Sequence, residues 1–224
     1  VPNLQVGDRV AVNKFAYGYS RNSLPFSLGR YVPLPDGRVL ARQPKRGDVI
    51  VFEHPHTTRV MIKRLIGLPG DDVQLRNGQI WLNGAPLMHE FQRRVHYNRN
   101  SDRVRVTASE YREGDDETQW ITHDWDGKGG RFDDTPIFRV PDGHYLFMGD
   151  NRDNSTDGRA QTGHCRPDAD GVISQADCPP LPGVSDSNAS IGYVPFTNLI
   201  GRADTVLFST YGCGGAKADP CMKK

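Results

Sequence analysis

The stretch Val73-Gln74-Leu75-Arg76-Asn77-Gly78-Gln79-Ile80-Trp81-Leu82 decides the fold class. Two short runs of β-formers flank Asn77-Gly78, and a tight hairpin turn needs positive φ at both central residues, which Asn-Gly tolerates best. The pattern repeats outward. Val10-Ala11-Val12, Val49-Ile50-Val51-Phe52, Val60-Met61-Ile62 and Tyr145-Leu146-Phe147-Met148 are short, rich in β-formers and bounded by turn residues. No helix-period stretch exceeds about a dozen residues, and no long internal repeat is present. The chain therefore reads as mostly β: an antiparallel-sheet core, as two layers or a partly open barrel, with an inserted cap region.

Of 224 residues, 36% are hydrophobic and 25% charged, which excludes wholesale disorder. The net charge of +1 gives no bulk case for a nucleic-acid partner. The longest apolar runs are a few residues, far short of the ~18 that would suggest a membrane span. The chain starts at Val1 rather than methionine, so any signal or anchor ahead of it is invisible here.

Composition shifts divide the chain. Residues 84–136 are strongly charged, with His89-Glu90, Arg93-Arg94 and Glu113-Gly114-Asp115-Asp116-Glu117, and read as an inserted cap between two parts of one core, 1–83 and 137–212. Residues 160–190 are rich in Gly, Pro, Asp and Ser and read as a surface loop; 213–224 read as a polar tail. Cys165, Cys178, Cys213 and Cys221 form no CxxC pair, which argues against zinc and thioredoxin chemistry. An even count in such sequence suggests two disulfides and an oxidising compartment. Four cysteines allow three connectivities, and locality alone favours Cys165–Cys178 with Cys213–Cys221; the alternative is four free thiols.

Two segments carry chemistry. Lys63 lies within Val60-Met61-Ile62-Lys63-Arg64-Leu65-Ile66, where burial disfavours an ammonium and lowers its pKa toward that of a general base. Arg64 points to the opposite face of the strand, so one of the two can meet solvent. The bland reading is a lysine snorkelling from a half-buried strand. The second segment, Gly149-Asp150-Asn151-Arg152-Asp153-Asn154-Ser155-Thr156-Asp157-Gly158-Arg159, follows an apolar strand and reads as a loop fixed by its own ion pairs, with Ser155 offering a hydroxyl.

Metal readings are partial. Asp153, Ser155, Asp157 and Gly158 match half of a calcium loop, but His164 stands where its glutamate belongs. Asp168, Asp170, Gly171, Ile173 and Asp177 match another, whose first position is Arg166. His54 and His56 lack a third ligand and read as surface residues. No metal or cofactor is expected. GxSxG, SxxK, HExxH and Walker motifs are absent.

The segment Lys63-Arg64-x-Ile66-Gly67-Leu68-Pro69-Gly70-Asp71 and the loop from Gly149 to Arg159 resemble two signature motifs of bacterial type I signal peptidases. Gly7-Asp8, Val12 and Lys14-Phe15-Ala16-Tyr17-Gly18 resemble a third; Gly192-Tyr193-Val194-Pro195 and Leu199-Ile200-Gly201-Arg202-Ala203 resemble the strand that follows. The resemblance covers neither residues 84–136 nor 160–190. It implies a Ser–Lys dyad endopeptidase of the inner membrane, its catalytic part on the periplasmic side, anchored by a segment upstream of Val1 and acting on preprotein signal peptides. Lys63 falls on the general base and Ser155 on the serine that orients it. Asp157 and Arg159 fall on a supporting ion pair, Asp150, Arg152 and Asp153 on the same loop, and Arg64 beside the lysine. Val60, Met61 and Ile62 fall on the strand bordering the substrate pockets. The nucleophilic serine would sit two residues before Val1, outside this chain. Gly158 stands where many relatives carry serine, a change expected to loosen the loop. Two other readings remain: a dedicated Ser–Lys processing peptidase of conjugation type, and a peptide-binding homologue without the nucleophile.

Overall fold

The computed structural model describes residues 4, 7–20, 38–98, 105–125, 129–160, 165–175 and 191–209. Fourteen strands are described within them: β1 (Asp8–Asn13), β2 (Val49–Glu53), β3 (Val60–Gly67), β4 (Asp72–Arg76), β5 (Gln79–Leu82), β6 (Ala85–Pro86), β7 (Met88–Asn98), β8 (Arg105–Gly114), β9 (Gln119–Trp125), β10 (Ile137–Arg139), β11 (His144–Met148), β12 (Val172–Ile173), β13 (Tyr193–Pro195) and β14 (Leu199–Ser209). They form three open sheets, ordered β1-β14-β2-β3-β11-β13, β12-β10-β4-β5-β6 and β7-β8-β9. Every pairing is antiparallel except β10 with β12. Among the described residues no sheet closes into a barrel.

The hairpin at Asn77-Gly78 joins β4 to β5, with φ of 49° and 78° at the two turn residues. Asn83-Gly84 repeats the device between β5 and β6 at 51° and 82°. Strand periodicity then builds two cores. On β11, Tyr145 and Phe147 enter a cluster with Ile50, Phe52 and Leu65, while Leu146 and Met148 enter another with Ile66, Phe138 and Ile173. A strand buried on both faces needs apolar residues at consecutive positions, which is what Tyr145-Leu146-Phe147-Met148 supplies. β3 lies beside β11 and splits the same way, Leu65 to one core and Ile66 to the other.

The charged region is a sheet in its own right. Met88 to Trp125 form β7-β8-β9, while Ala85–Pro86 and Thr135 bond to the five-stranded sheet, so the inserted sheet is shorter than the 84–136 span. It is also joined to the core: Trp120 packs among Ile66, Val73 and Met148. Residues 165–175, expected as surface loop, instead bury Cys165, Val172 and Ile173 and add β12 to a sheet edge. Cys165 is the one cysteine among the described residues; Cys178, Cys213 and Cys221 lie outside them, and neither expected pairing falls within them. The tail 213–224 also lies outside. Among the described residues no helix is long and apolar enough to cross a membrane.

Candidate active site

β3 and the loop after β11 are neighbours because β3 pairs with β11 from Arg64 to Gly67. The loop leaves β11 at Gly149 and folds back toward β3. Lys63 Nζ donates to Ser155 Oγ at 2.6 Å. Close approach at Gly149 makes this contact possible: a Cβ there would stand 2.2 Å from Ser155 Oγ and 3.5 Å from Lys63 Nζ. Burial is the largest influence on Lys63 and pushes its ammonium below the ordinary lysine value; the Asp157 carboxylate pulls the other way and Arg159 opposes that pull.

Asp157 is fully buried and holds the loop together. Its Oδ2 accepts the Gly149 N–H at 2.9 Å and Arg159 Nη2 at 2.9 Å. Oδ1 accepts Arg159 Nε at 2.9 Å. Burial alone would raise its pKa, but Arg159, Lys63 and the Gly149 N–H outweigh that and hold it at about 2. Arg159 also donates to the Arg152 carbonyl at 2.7 Å.

Arg64 forms a two-pronged pair with Asp150, at 2.7 and 2.8 Å, donates to the Gly47 carbonyl, and lies over the Trp120 ring. It is 8% exposed and faces inward, whereas Lys63 is part-buried and reaches the cleft, so the two side chains of the pair do differ in their access to solvent. The loop wraps the end of β3 and gives both cations partners. An open cleft exposes this arrangement, lined by Leu4, Val49, Ile62, Lys63, Asn154 and Ser155 among others. β11 pairs with β3 only from Arg64 onward, so among the described residues the first half of β3 keeps one edge open.

A family model described as "Signal peptidase, peptidase S26" matches residues 1–208. The chain belongs to this family. It is 33% identical over 214 residues to a "Signal peptidase I" of Rickettsia typhi, covering 91% of this chain and 66% of that protein. It is 32% identical over 213 residues to one of Rickettsia massiliae, covering 91% and 65%. The chain thus spans about two thirds of the length of these curated relatives. A solved signal peptidase I from Enterococcus faecalis V583 is 22% identical, with 72% of this chain and 97% of that one covered, at a TM-score of 0.36, too low to establish a shared fold.

In this S26 chain the structure brings Lys63, Arg64, Asp150, Arg152, Asp157 and Arg159 together with Ser155, and anchors Asp153 through the Trp125 N–H at 2.8 Å. The three β3 residues separate. Ile62 lines the cleft, Met61 packs against the core around Phe52, and Val60 is 60% exposed at the strand end. Gly158 is not a loosening position: its N–H donates to the Phe147 carbonyl, and a Cβ there would meet Leu146 Cδ1 at 2.6 Å.

Among the described residues the calcium-loop spacings form no cage. Asp153, Ser155 and Asp157 each serve a different partner, and His164 lies outside the described residues. Asp168 turns onto the N–H groups of Asp170 and Val172, Ile173 is buried, and Arg166 bonds the Cys165 carbonyl; Asp177 lies outside. His54 is buried, not a surface residue, and accepts the His56 N–H.

Sequence reasoning missed Glu113. Read only as part of the strongly charged inserted cap, it is 1% exposed and binds Arg152 and His89. A carboxylate at an inward position of a strand was the available signal, and it is invisible until the strand is recognised.

Proposed function

We propose that the protein is a membrane-anchored serine endopeptidase that removes signal peptides from secreted preproteins, with Lys63 as its general base. The observation that carries this reading is the part-buried Lys63 amine, pushed toward neutrality and fixed 2.6 Å from Ser155 Oγ. A neutral amine near physiological pH accepts a proton; an ordinary ammonium does not. Ser155 is 8% exposed and tucked against Gly149, which suits orienting the amine better than meeting a peptide.

The attacking serine is proposed to stand two residues ahead of Val1. Leu4 lines the cleft beside Lys63, so a segment joined there lies within chain reach of the amine. Its hydroxyl oxygen bonds to the scissile carbonyl carbon while its proton passes to Lys63. Collapse breaks the peptide C–N bond and the proton leaves on the new amine. Lys63 then takes a proton from the water that attacks the ester carbonyl and gives it to the serine oxygen as the acyl C–O bond breaks, which frees the carboxylic acid and restores the serine.

The open edge of β3 suits an extended peptide, which adds as a strand and presents alternate side chains to the surface. Ile62 at the cleft favours small apolar residues before the cut. The membrane location, with the catalytic part outside the cytoplasm, is proposed from the likeness to the signal peptidase relatives.

The test is cleavage of a preprotein with an Ala-x-Ala site by the full-length gene product beside its Lys63→Ala variant. Loss of cleavage in a folded variant is expected. Cleavage that survives would overturn the role of Lys63; no cleavage by the parent would favour a dedicated substrate or a peptide-binding relative.

A further inference from the structure

We propose that Glu113, supplied by the inserted three-stranded sheet, is a positioning residue for the Lys63 amine; the inference rests on Lys63 being the general base. Glu113 sits near the end of β8, 1% exposed. Both of its carboxylate oxygens are occupied. Oε1 faces His89 Nδ1 at 2.9 Å and accepts Arg152 Nη1 at 2.9 Å. Oε2 accepts Trp120 Nε1 at 3.3 Å and Arg152 Nη2. Burial works against its ionisation, but Arg152 and His89 outweigh burial and keep it a carboxylate.

Arg152 is the link. It is 3% exposed, and its Nε has no partner among the described residues, so its hold on a counter-charge runs through the two nitrogens that Glu113 takes. The Arg152 carbonyl accepts Arg159 Nη2 at 2.7 Å, Arg159 pairs with Asp157, and Asp157 accepts the Gly149 N–H. Gly149 is the residue against which Ser155 Oγ rests. Five short contacts therefore run from Glu113 to the serine that holds Lys63.

The inserted sheet reaches the same loop through its backbone. His123 N–H donates to the Asp150 carbonyl at 2.8 Å, and Arg152 N–H donates to the His123 carbonyl at 2.9 Å. Asn151 Nδ2 donates to Tyr97 Oη at 3.0 Å. Those contacts set where β9 and the loop meet. Glu113 supplies the buried charge that orients the Arg152 side chain, and with it the backbone under Arg159. A loop that slackens there lets water reach more of Lys63. Because burial is the main cause of its lowered pKa, its titration would move up.

The experiment compares the full-length protein with Glu113→Gln and with Glu113→Gln/Arg152→Gln. The single change leaves Arg152 buried without its counter-charge and is expected to lower Tm. The double change leaves no unpaired buried charge and is expected to recover much of that loss. Positioning predicts that the double variant, though folded, keeps a kcat roughly tenfold to a hundredfold below the parent, with KM changed by less than about threefold. It also predicts an upward shift in the Lys63 midpoint, read by NMR of the lysine side chains with Lys63→Arg as the assignment control. Recovery of kcat together with Tm, or an unmoved Lys63 midpoint, would overturn the proposal. The two readings fail separately. Cleavage that survives Lys63→Ala removes the general base, whereas the NMR midpoint decides the Glu113 effect without any cleavage.

Discussion

Gly149→Ala is the sharpest probe of the site. The added Cβ would stand 2.2 Å from Ser155 Oγ and 2.5 Å from Ser155 Cβ. Gly149 cannot easily retreat, because its N–H is held by the buried Asp157 and the preceding Met148 is 0% exposed. Ser155 must yield, and reaching an ordinary contact distance takes a shift of ~1 Å. That is enough to stretch the 2.6 Å bond to Lys63 beyond hydrogen-bond range. Overpacking of this kind costs about 1–3 kcal/mol in stability, and a misplacement of about 1 Å can cost ~100-fold in rate. Steady-state cleavage of an Ala-x-Ala preprotein by the full-length protein would read the rate, and urea unfolding the stability. Gly129→Ala is the control, since nothing lies within 4 Å of its added methyl. A Gly149→Ala enzyme with parental kcat would refute both the close packing of this turn and the role given to Ser155.

Lys63→Met should stabilise the fold at neutral pH. The folded chain releases a proton from Lys63 that the unfolded chain keeps, so the penalty is greatest below the lowered folded pKa and disappears as pH rises toward 10.5. Urea titrations from pH 6 to pH 10 should show the gain shrinking; a gain independent of pH would count against desolvation of Lys63. Asp157→Asn strands Arg159 and should cost about 3–5 kcal/mol near neutral pH. The difference from the parent should narrow as acid takes the pH from 3.8 toward 2, where the native carboxylate itself is protonated; a difference that holds at pH 2 would refute the assignment. Arg159→Met leaves Asp157 facing Lys63 alone, so the acid limb of kcat/KM should move to higher pH, and a limb that stays put or falls would contradict it.

Much of the core was legible because its strands are short apolar runs ended by turn residues. Asn77-Gly78 marked a hairpin, and Asn83-Gly84 carried the same signal directly after Leu82 but was not read. The inserted sheet was hidden for a physical reason. Its long strands turn charged side chains inward where an apolar face would be expected: Glu110 takes His123 and the exposed Arg93, and the buried Glu113 takes Arg152 and His89. Hydropathy alternation cannot reveal strands packed in that way. The site was legible in part. A lysine within an apolar strand and a serine in a charge-rich loop are recognisable in sequence, whereas their contact depends on the pairing of β3 with β11. The separation of Val60, Met61 and Ile62 follows from strand alternation together with the local ends of the sheet.

The arrangement around Lys63 answers a difficulty in placing a general base beside a carboxylate. An ionised Asp157 near the lysine would by itself favour the ammonium and defeat the role proposed for it. Arg159 opposes that effect. It meets Asp157 through two nitrogens, both side chains are almost wholly shielded from solvent, and its charge acts on Lys63 with opposite sign. The pair is therefore close to a dipole at the position of the amine, and burial prevails. The same pair ties the loop to Gly149 and hence to the seat of Ser155. Neutral residues could fix the loop, but they would have to replace the Gly149 N–H acceptor and the donor to the Arg152 carbonyl separately. Buried and complete, the ion pair supplies both contacts while leaving the lysine free to lose its proton.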